Sequence, residues 1–266
     1  MKSSNIGGQA VMEGIMMRSG DQYSIGVRKP DGEIEVKVEP YRSWAKDSSI
    51  WKLPVFRGVA SFFESLVVGI RCLMYSASFI EDEEEDAKKP GKEKTEEQKE
   101  KEEKWLMYGT MTFSVIFSIA LFIMLPYFLA GFLRNVTTSE GVIAVAEACV
   151  RMILFLGYLV LISRMKDIQR VFMYHGAEHK CINCVEHGLE LNVENVMKSS
   201  REHKRCGTSF LLFVMIVSII FFLFIRVSSP VLRVVIRLLL MPVIAGVSYE
   251  IIRLAGKSDN KIVALL

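Results

Sequence analysis

Four apolar stretches dominate this chain and limit what it can fold into. Residues 105–133, 142–162, 210–225 and 231–254 are apolar runs near or above the length of helix that crosses a bilayer, about 18 residues. Pro126 lies inside the first. Trp105 and Tyr108 at its start suit the interfacial belt where amphipathic rings settle. The third stretch carries no charge, and the fourth carries Arg233, Arg237, Glu250 and Arg253. Such a distribution disfavours an ordinary soluble enzyme, a fully disordered chain and a collagen. The expected class is mainly α: a polytopic helical membrane protein with about four transmembrane helices, one membrane-associated helix and a small N-terminal β-hairpin region.

The charges are set apart from the apolar stretches. Over the 266 residues Lys and Arg number 33 and Asp and Glu 30, a net charge of +3. Residues 81–104 alone hold 12 acidic and seven basic groups. That segment has no apolar face to bury, so nothing offsets its chain entropy, and it reads as a charged disordered linker. The remainder is basic in the manner of a membrane protein with basic cytoplasmic loops. No basic patch is interleaved with exposed aromatic residues, so no nucleic-acid partner is expected.

Lys/Arg counts give an orientation. Segment 163–208 has eight basic residues, whereas segment 134–141 has only Arg134. The positive-inside rule then places the N-terminus, segment 163–208 and the C-terminus in the cytoplasm of a bacterial cell, with four spans and both ends on one side. The first 50 residues hold no apolar leader segment. The expected partners are the lipid bilayer and a second copy of the chain or another membrane protein.

Within residues 1–50, the N-terminal β-rich cytoplasmic region, residues 23–28 and 33–38 alternate apolar and polar side chains around the turn-forming Lys29-Pro30-Asp31-Gly32, which predicts a hairpin. Residues 51–80 form an amphipathic or re-entrant membrane helix, charged between Phe56 and Ser78 only at Arg57, Glu64 and Arg71. A buried helix of a soluble domain would read the same way. Spans one and two fill 105–162, spans three and four fill 209–256, and 257–266 is the C-terminal end.

Segment 163–208, a His/Cys-rich cytoplasmic loop, carries the chemistry. All four histidines, His175, His179, His187 and His203, fall within 29 residues, as do Cys181 and Cys184, with Cys206 just beyond. His175 and His179 are four apart and share a helix face, with Glu178 between them in the order His-x-x-Glu-His. Two imidazoles on one face can hold one metal ion, and an adjacent carboxylate can act as general base on water. His203 and Cys206, three apart, supply the other preferred zinc donors. The candidate metal ligands are therefore His175, His179, His203 and Cys206, the metal is zinc, and Glu178 is the catalytic candidate. Four ligands would close the site as a structural one, and three would leave a position for water. The plain alternative is polar residues at a helix end, hydrogen-bonded to loop backbone. Cys181-x-x-Cys184-x-x-His187 is a rival donor set, ranked lower.

One shared site requires a break in the chain. A straight helix from Ile162 to His179 would carry the latter about 25 Å from the second span, at 1.5 Å per residue. The chain must therefore turn back after about Lys166, with Ile168, Val171, Phe172 and Met173 as an apolar face. The two imidazoles of His175 and His203 should then lie within about 10 Å of each other.

The ionisable groups inside apolar stretches, Glu64, Arg71, Glu147, Arg151 and Glu250, are functional candidates by their cost in lipid. Glu147 and Arg151, four apart, would simply pair on one helix face.

Five motifs in order along nearly the whole chain resemble the bacterial YqhQ family: Gly-Gly-Gln-Ala-Val-Met-Glu-Gly-Ile-Met-Met-Arg at 7–18, Phe-Arg-Gly-Val and Glu-Ser-Leu-Val-Val-Gly within 56–69, Tyr-His-Gly-Ala-Glu-His-Lys at 174–180, Arg-Cys-Gly-Thr-Ser-Phe at 205–210 and Ser-Tyr-Glu at 248–250. The resemblance implies a multi-pass membrane protein and a metal-dependent enzyme, and it points to His175, Glu178, His179, His203 and Cys206. It gives no substrate. Cys181 and Cys184 fall outside its motifs. It also implies a further stretch beyond Leu266, so the chain reads as truncated there. The function expected is a zinc-dependent membrane hydrolase with a cytoplasmic His-x-x-Glu-His site. The alternative is a non-catalytic scaffold or transporter in which any metal is structural.

Overall fold

Four short strands come first in the chain. The computed structural model describes residues 4, 6–43, 49–86, 96–203, 206–225, 227 and 229–255. Strands β1 (Gly7–Val11), β2 (Gly14–Ser19), β3 (Gln22–Arg28) and β4 (Ile34–Pro40) form an antiparallel meander in the order β1-β2-β3-β4. The predicted hairpin is its second half, with Arg28 opposite Ile34 and Gly32 at φ +89 in the expected turn. The first half went unread because its glycines hide the alternation. The turn between β1 and β2 places Glu13 at φ 51, a left-handed backbone that a side chain seldom adopts.

One face of the sheet is apolar. Val11, Met16, Tyr23, Ile25 and Val27 are buried with Cys72, and Val68, Tyr75 and Phe79 pack around them. These last four residues lie on helix α1 (Phe56–Asp86), which is continuous over 31 residues. The helix enters the charged stretch through Glu81–Asp86, and helix α2 (Glu96–Ile119) begins before that stretch ends. Residues 87–95 of the expected linker lie outside the described residues, as do 256–266 at the C-terminal end.

After α2 the helix passes through one π-helical turn (Ala120–Met124) into α3 (Leu125–Gly131), with Pro126 in the first turn of α3. A proline offers no N–H to the preceding turn, and the widened turn before it accommodates that loss. Helix α4 (Glu140–Ile162) ends and α5 (Lys166–Glu186) starts anew after three intervening residues, so the break lies just before Lys166, where it was expected just after. Asp167 lies in the first turn of α5, where a carboxylate suits the positive end of the helix dipole. Short α6 (Val193–Lys198) is capped by the Asn192 side chain, which accepts from Asn195 N–H at 2.9 Å. Helices α7 (Gly207–Phe224) and α8 (Pro230–Ala255) complete the chain.

The chain is thus mainly α with a four-stranded N-terminal sheet. Among the described residues, five helical segments are long and apolar enough to cross a membrane: Phe56–Ile80, Trp105–Gly131, Glu140–Ile162, Gly207–Phe224 and Val231–Leu254.

Two compact units are formed. The first comprises Met1–Glu85, Ser163–Val217 and Leu240–Leu266, and the second Asp86–Ile162 and Ser218–Leu239. In the first unit α5 packs on the sheet, and Arg170 and Tyr174 of α5 both reach the Glu13 carboxylate, Tyr174 at 3.2 Å. Also in this unit, α8 meets α1 at a pair of glycines, Gly58 and Gly246, where a Cβ on either would strike backbone of the other helix or of the residues leading into it. Beside them Arg57 donates to Glu250 through Nε at 2.6 Å and Nη2 at 2.5 Å. Glu64 of α1 accepts from Tyr41 Oη at 2.5 Å and from Ser43 Oγ at 2.7 Å. These apolar-segment carboxylates are therefore held by specific partners.

Candidate metal centre

The site is built from α5, the segment that follows α6, and the first turn of α7, all in the first unit. His175 and His179 project from the same face of α5, with ring centroids 4.2 Å apart. The chain after α6 is tied to α5 by Asn183, whose Nδ2 donates to the carbonyls of Ser200 at 2.8 Å and Glu202 at 2.9 Å. That tether presents the Arg201 carbonyl to His179 Nδ1 at 2.7 Å. It also sets the His203 ring 5.7 Å from that of His179, which with the 4.2 Å between His175 and His179 keeps the His175 and His203 rings within the expected distance of about 10 Å.

Each imidazole on α5 is oriented through its Nδ1. His175 Nδ1 donates to Glu178 Oε2 at 2.9 Å, which turns Nε2 toward Cys206 Sγ, 3.2 Å away. With His179 Nδ1 on the Arg201 carbonyl, its Nε2 remains for the same sulfur. One ligand atom each from His175, His179 and Cys206 lies within 4.8 Å of the others, and no other such group of three occurs among the described residues.

Cys206 precedes α7 directly, and its sulfur caps the helix. Thr208 N–H lies 3.4 Å and Thr208 Oγ1 2.8 Å from Sγ. Burial alone would push this thiol up, but the bonds from His175, His179 and Thr208 outweigh it and bring its pKa down to about 5. The counterpart appears on His175, pushed up to about 10 by the Cys206 sulfur and by Glu178. His179 is raised as well, by the sulfur first and with burial opposing.

His203 joins the imidazole cluster but not the triplet of ligand atoms. Its Nε2 faces Glu186 Oε2 at 3.4 Å, and Glu186 Oε1 also accepts from Ser4 N–H and Oγ, each at 2.9 Å. The rival set is not gathered. Cys184 is buried with its thiol 3.4 Å from the Glu190 carbonyl, and His187 Nδ1 bonds the Asn183 carbonyl at 2.7 Å.

Glu178 is 3% exposed and lies beneath Gly8 of β1, whose bare Cα leaves just enough room for the carboxylate. His175, Glu178, His179 and His203 line one side of a cavity of about 680 Å³. Phe62, Phe172 and Phe210 give it apolar wall, and Gln9, Arg18, Ser61 and Ser65 give it polar wall. Sequence reasoning missed Gly8, Arg201, Asn183 and Thr208. Gly8 lay in a motif already singled out, whereas the Arg201 carbonyl acts through backbone and left no side-chain signal.

The comparisons agree with the motifs. The family model "Protein of unknown function (DUF1385)" matches residues 53–266. The chain belongs to this family. It is 37% identical over 252 residues to "Uncharacterized protein YqhQ" of Bacillus subtilis (strain 168), an alignment that covers 94% of this chain and 79% of that relative. No solved structure matches.

Proposed function

We propose that this member of the DUF1385 family is a zinc-dependent membrane hydrolase whose ligands are His175, His179 and Cys206. One observation carries the reading. Both histidines give Nδ1 to a fixed acceptor, Glu178 Oε2 or the Arg201 carbonyl, so both Nε2 atoms converge on one cysteine sulfur. A hydrogen-bonded thiol needs one such partner. Two oriented imidazoles and a thiolate are the donor set and outer-shell pattern of a zinc site.

A zinc ion held there supplies a Lewis acid that makes water nucleophilic near neutral pH. With His175, His179 and Cys206 as its ligands, a zinc ion would keep a fourth position for water. Glu178 holds His175 in the tautomer that presents Nε2 and accepts the proton of the attacking water. His203, paired with Glu186, is a supporting residue rather than a ligand.

The membrane reading is supported by parity. The sheet and α5 pack together, through Gly8 on Glu178 and Glu13 on Arg170, so they share one side. An even number of crossings must separate them. Helix α1 gives one flank to the sheet and buries Glu64 against Tyr41, so α2–α3 and α4 cross while α1 lies along the surface. Helices α7 and α8 cross again and return Glu250 to Arg57. The eight basic residues of segment 163–208 support a cytoplasmic reading of that side.

A second reading rests on the line Cys206–His175–Glu178, which also suits a cysteine nucleophile with His175 as base. Metal content decides between them. Protein purified in detergent without chelator should hold about one zinc per chain by elemental mass spectrometry. His175→Ala, His179→Ala and Cys206→Ser should lose it, and His203→Ala should keep it. Glu178→Gln should keep zinc and lose hydrolysis in a screen of ester, amide and phosphoester substrates. Absence of stoichiometric metal would overturn the zinc reading. Hydrolysis that survives chelator but not alkylation of Cys206 would establish the nucleophile. Zinc without any effect of Glu178→Gln would mark the metal as structural.

A further inference from the structure

A second polar cluster lies within the other unit, between α4, α7 and α8. Glu147 of α4 receives Arg151 Nη2 at 2.8 Å, and Arg237 Nη1 of α8 lies 2.5 Å from the same oxygen. Arg151 Nε also donates to the Phe122 carbonyl at 3.2 Å. Both guanidinium groups rest on the ring of Phe222, at 4.8 and 4.9 Å from its centroid. Glu147, Arg151 and Arg237 are all buried, with Arg237 only 3% exposed.

The cluster is under-neutralised. One carboxylate serves two arginines, and an arginine cannot shed its proton to relieve the imbalance. Among the described residues, neither Nε nor Nη1 of Arg237 has an aligned hydrogen-bond acceptor, although Nη1 is close to Glu147. An unsatisfied buried donor on a charged group is costly, more so in apolar helices.

Arg237 lines a cavity of about 60 Å³, together with Arg233, Glu147, Glu140, Ile143 and Phe222. Arg233 is turned toward it from one helical turn away, with Nε and Nη2 given to the Val227 carbonyl at 3.1 and 2.6 Å. We propose that this cavity binds one small monovalent inorganic anion of chloride size, held by Arg237 and Arg233. Water could fill the space but would not offset the excess charge. Glu140 and Glu147 on the wall disfavour a dianion such as phosphate, and the volume admits a few water-sized centres only. Among the described residues of the cluster, three arginines (Arg151, Arg233 and Arg237) stand against two glutamates (Glu140 and Glu147), and one monovalent anion cancels the difference.

The test uses the purified full chain in detergent. Equilibrium binding of radioactive chloride should show about one site per chain. Thermal stability should rise saturably with chloride or bromide, and not with gluconate at equal ionic strength, since gluconate is too large for the cavity. Arg237→Met should abolish both binding and the chloride-specific rise. Glu147→Gln removes a repelling charge from the site and should lower the half-saturating chloride roughly tenfold; it keeps the proposal testable if Arg237→Met does not fold. Stability indifferent to the anion, protection by phosphate in place of chloride, or chloride binding untouched by both variants would overturn the assignment.

Discussion

Gly8 of β1 lies directly against the carboxylate of Glu178 on α5, so closely that a Cβ at position 8 would overlap the side chain. The sheet is therefore a wall of the candidate metal centre and not a separate appendage. Glu178 in turn fixes the His175 ring through Nδ1 at 2.9 Å. Gly8→Ala should push Glu178 away, release the His175 tautomer and weaken zinc binding about 10- to 100-fold, the usual cost of losing an outer-shell partner. A chelator-competition titration measures this. Gly7→Ala, where nothing lies within 4 Å, is the matched control and should bind zinc as the parent does. Equal affinity in both variants would show that the sheet has no hold on the site.

The ion pair between Glu13 and Arg170 ties the β1–β2 turn to α5. The hydrogen bond and charge of Arg170 hold the Glu13 carboxyl below its ordinary value of 4.5, against a smaller opposing effect of burial. A depressed carboxyl contributes stability above its unfolded value and loses it as pH falls through its folded value. Since Arg170 is half exposed, solvent screening keeps the contribution of the pair small. Glu13→Gln should accordingly lower Tm slightly at neutral pH. The gap to the parent should close as the pH drops below 4.5. A gap that persists undiminished there would mean that the carboxylate charge is not what docks the turn.

How much of this was legible in the sequence depends on the kind of signal. The membrane-length helices could be read because burial in lipid demands uninterrupted apolar runs. His175, Glu178 and His179 could be read because helical spacing puts i and i+4 on one face. A break near Lys166 followed from distance alone, and the fold places it between Ile162 and Lys166. Division of labour at the site was not legible. His203 and Cys206 had equal standing by spacing, and only the fold shows His203 turned to Glu186 while Cys206 faces both imidazoles. The β1 strand was obscured because Gly7 and Gly8 carry no alternating side chains, and its use as a lid over Glu178 depends on contacts 170 residues apart.

Helices α1 and α8 approach through Gly58 and Gly246. A Cβ on Gly246 would lie 2.6 Å from the Val55 carbonyl oxygen, and one on Gly58 would lie 2.7 Å from the Gly246 carbonyl oxygen. Neither neighbour is a flexible side chain that can swing aside. Gly58→Ala and Gly246→Ala should each destabilise by about 1–3 kcal/mol, as overpacking does. Gly157→Ala, with open space around it in α4, should be neutral or slightly stabilising because alanine favours the helix. Thermal unfolding in detergent compares the three. Equal midpoints would show that the seam is loose in solution.

The proposed topology makes α1 a surface helix and not a crossing one, and single cysteines on either side of it distinguish the two. In a background with Cys149→Ser, Lys52→Cys and Ser78→Cys flank α1, Ser19→Cys marks the sheet, Lys198→Cys marks α6, and Thr138→Cys marks the connection between α3 and α4. All five replaced side chains are exposed. A membrane-impermeant maleimide applied to intact expressing cells should label Thr138→Cys alone. The other four should react only after lysis. Parity makes the result sharp: if α1 crossed, Lys52→Cys and Ser78→Cys would lie on opposite sides and one of them would label from outside. Ser19→Cys and Lys198→Cys would still agree with each other, because Gly8 on Glu178 and Glu13 on Arg170 join their elements. Labelling of exactly one member of the α1 pair would therefore overturn the four-span arrangement, and labelling of Ser19→Cys without Lys198→Cys would overturn the sheet–α5 contact on which the site depends.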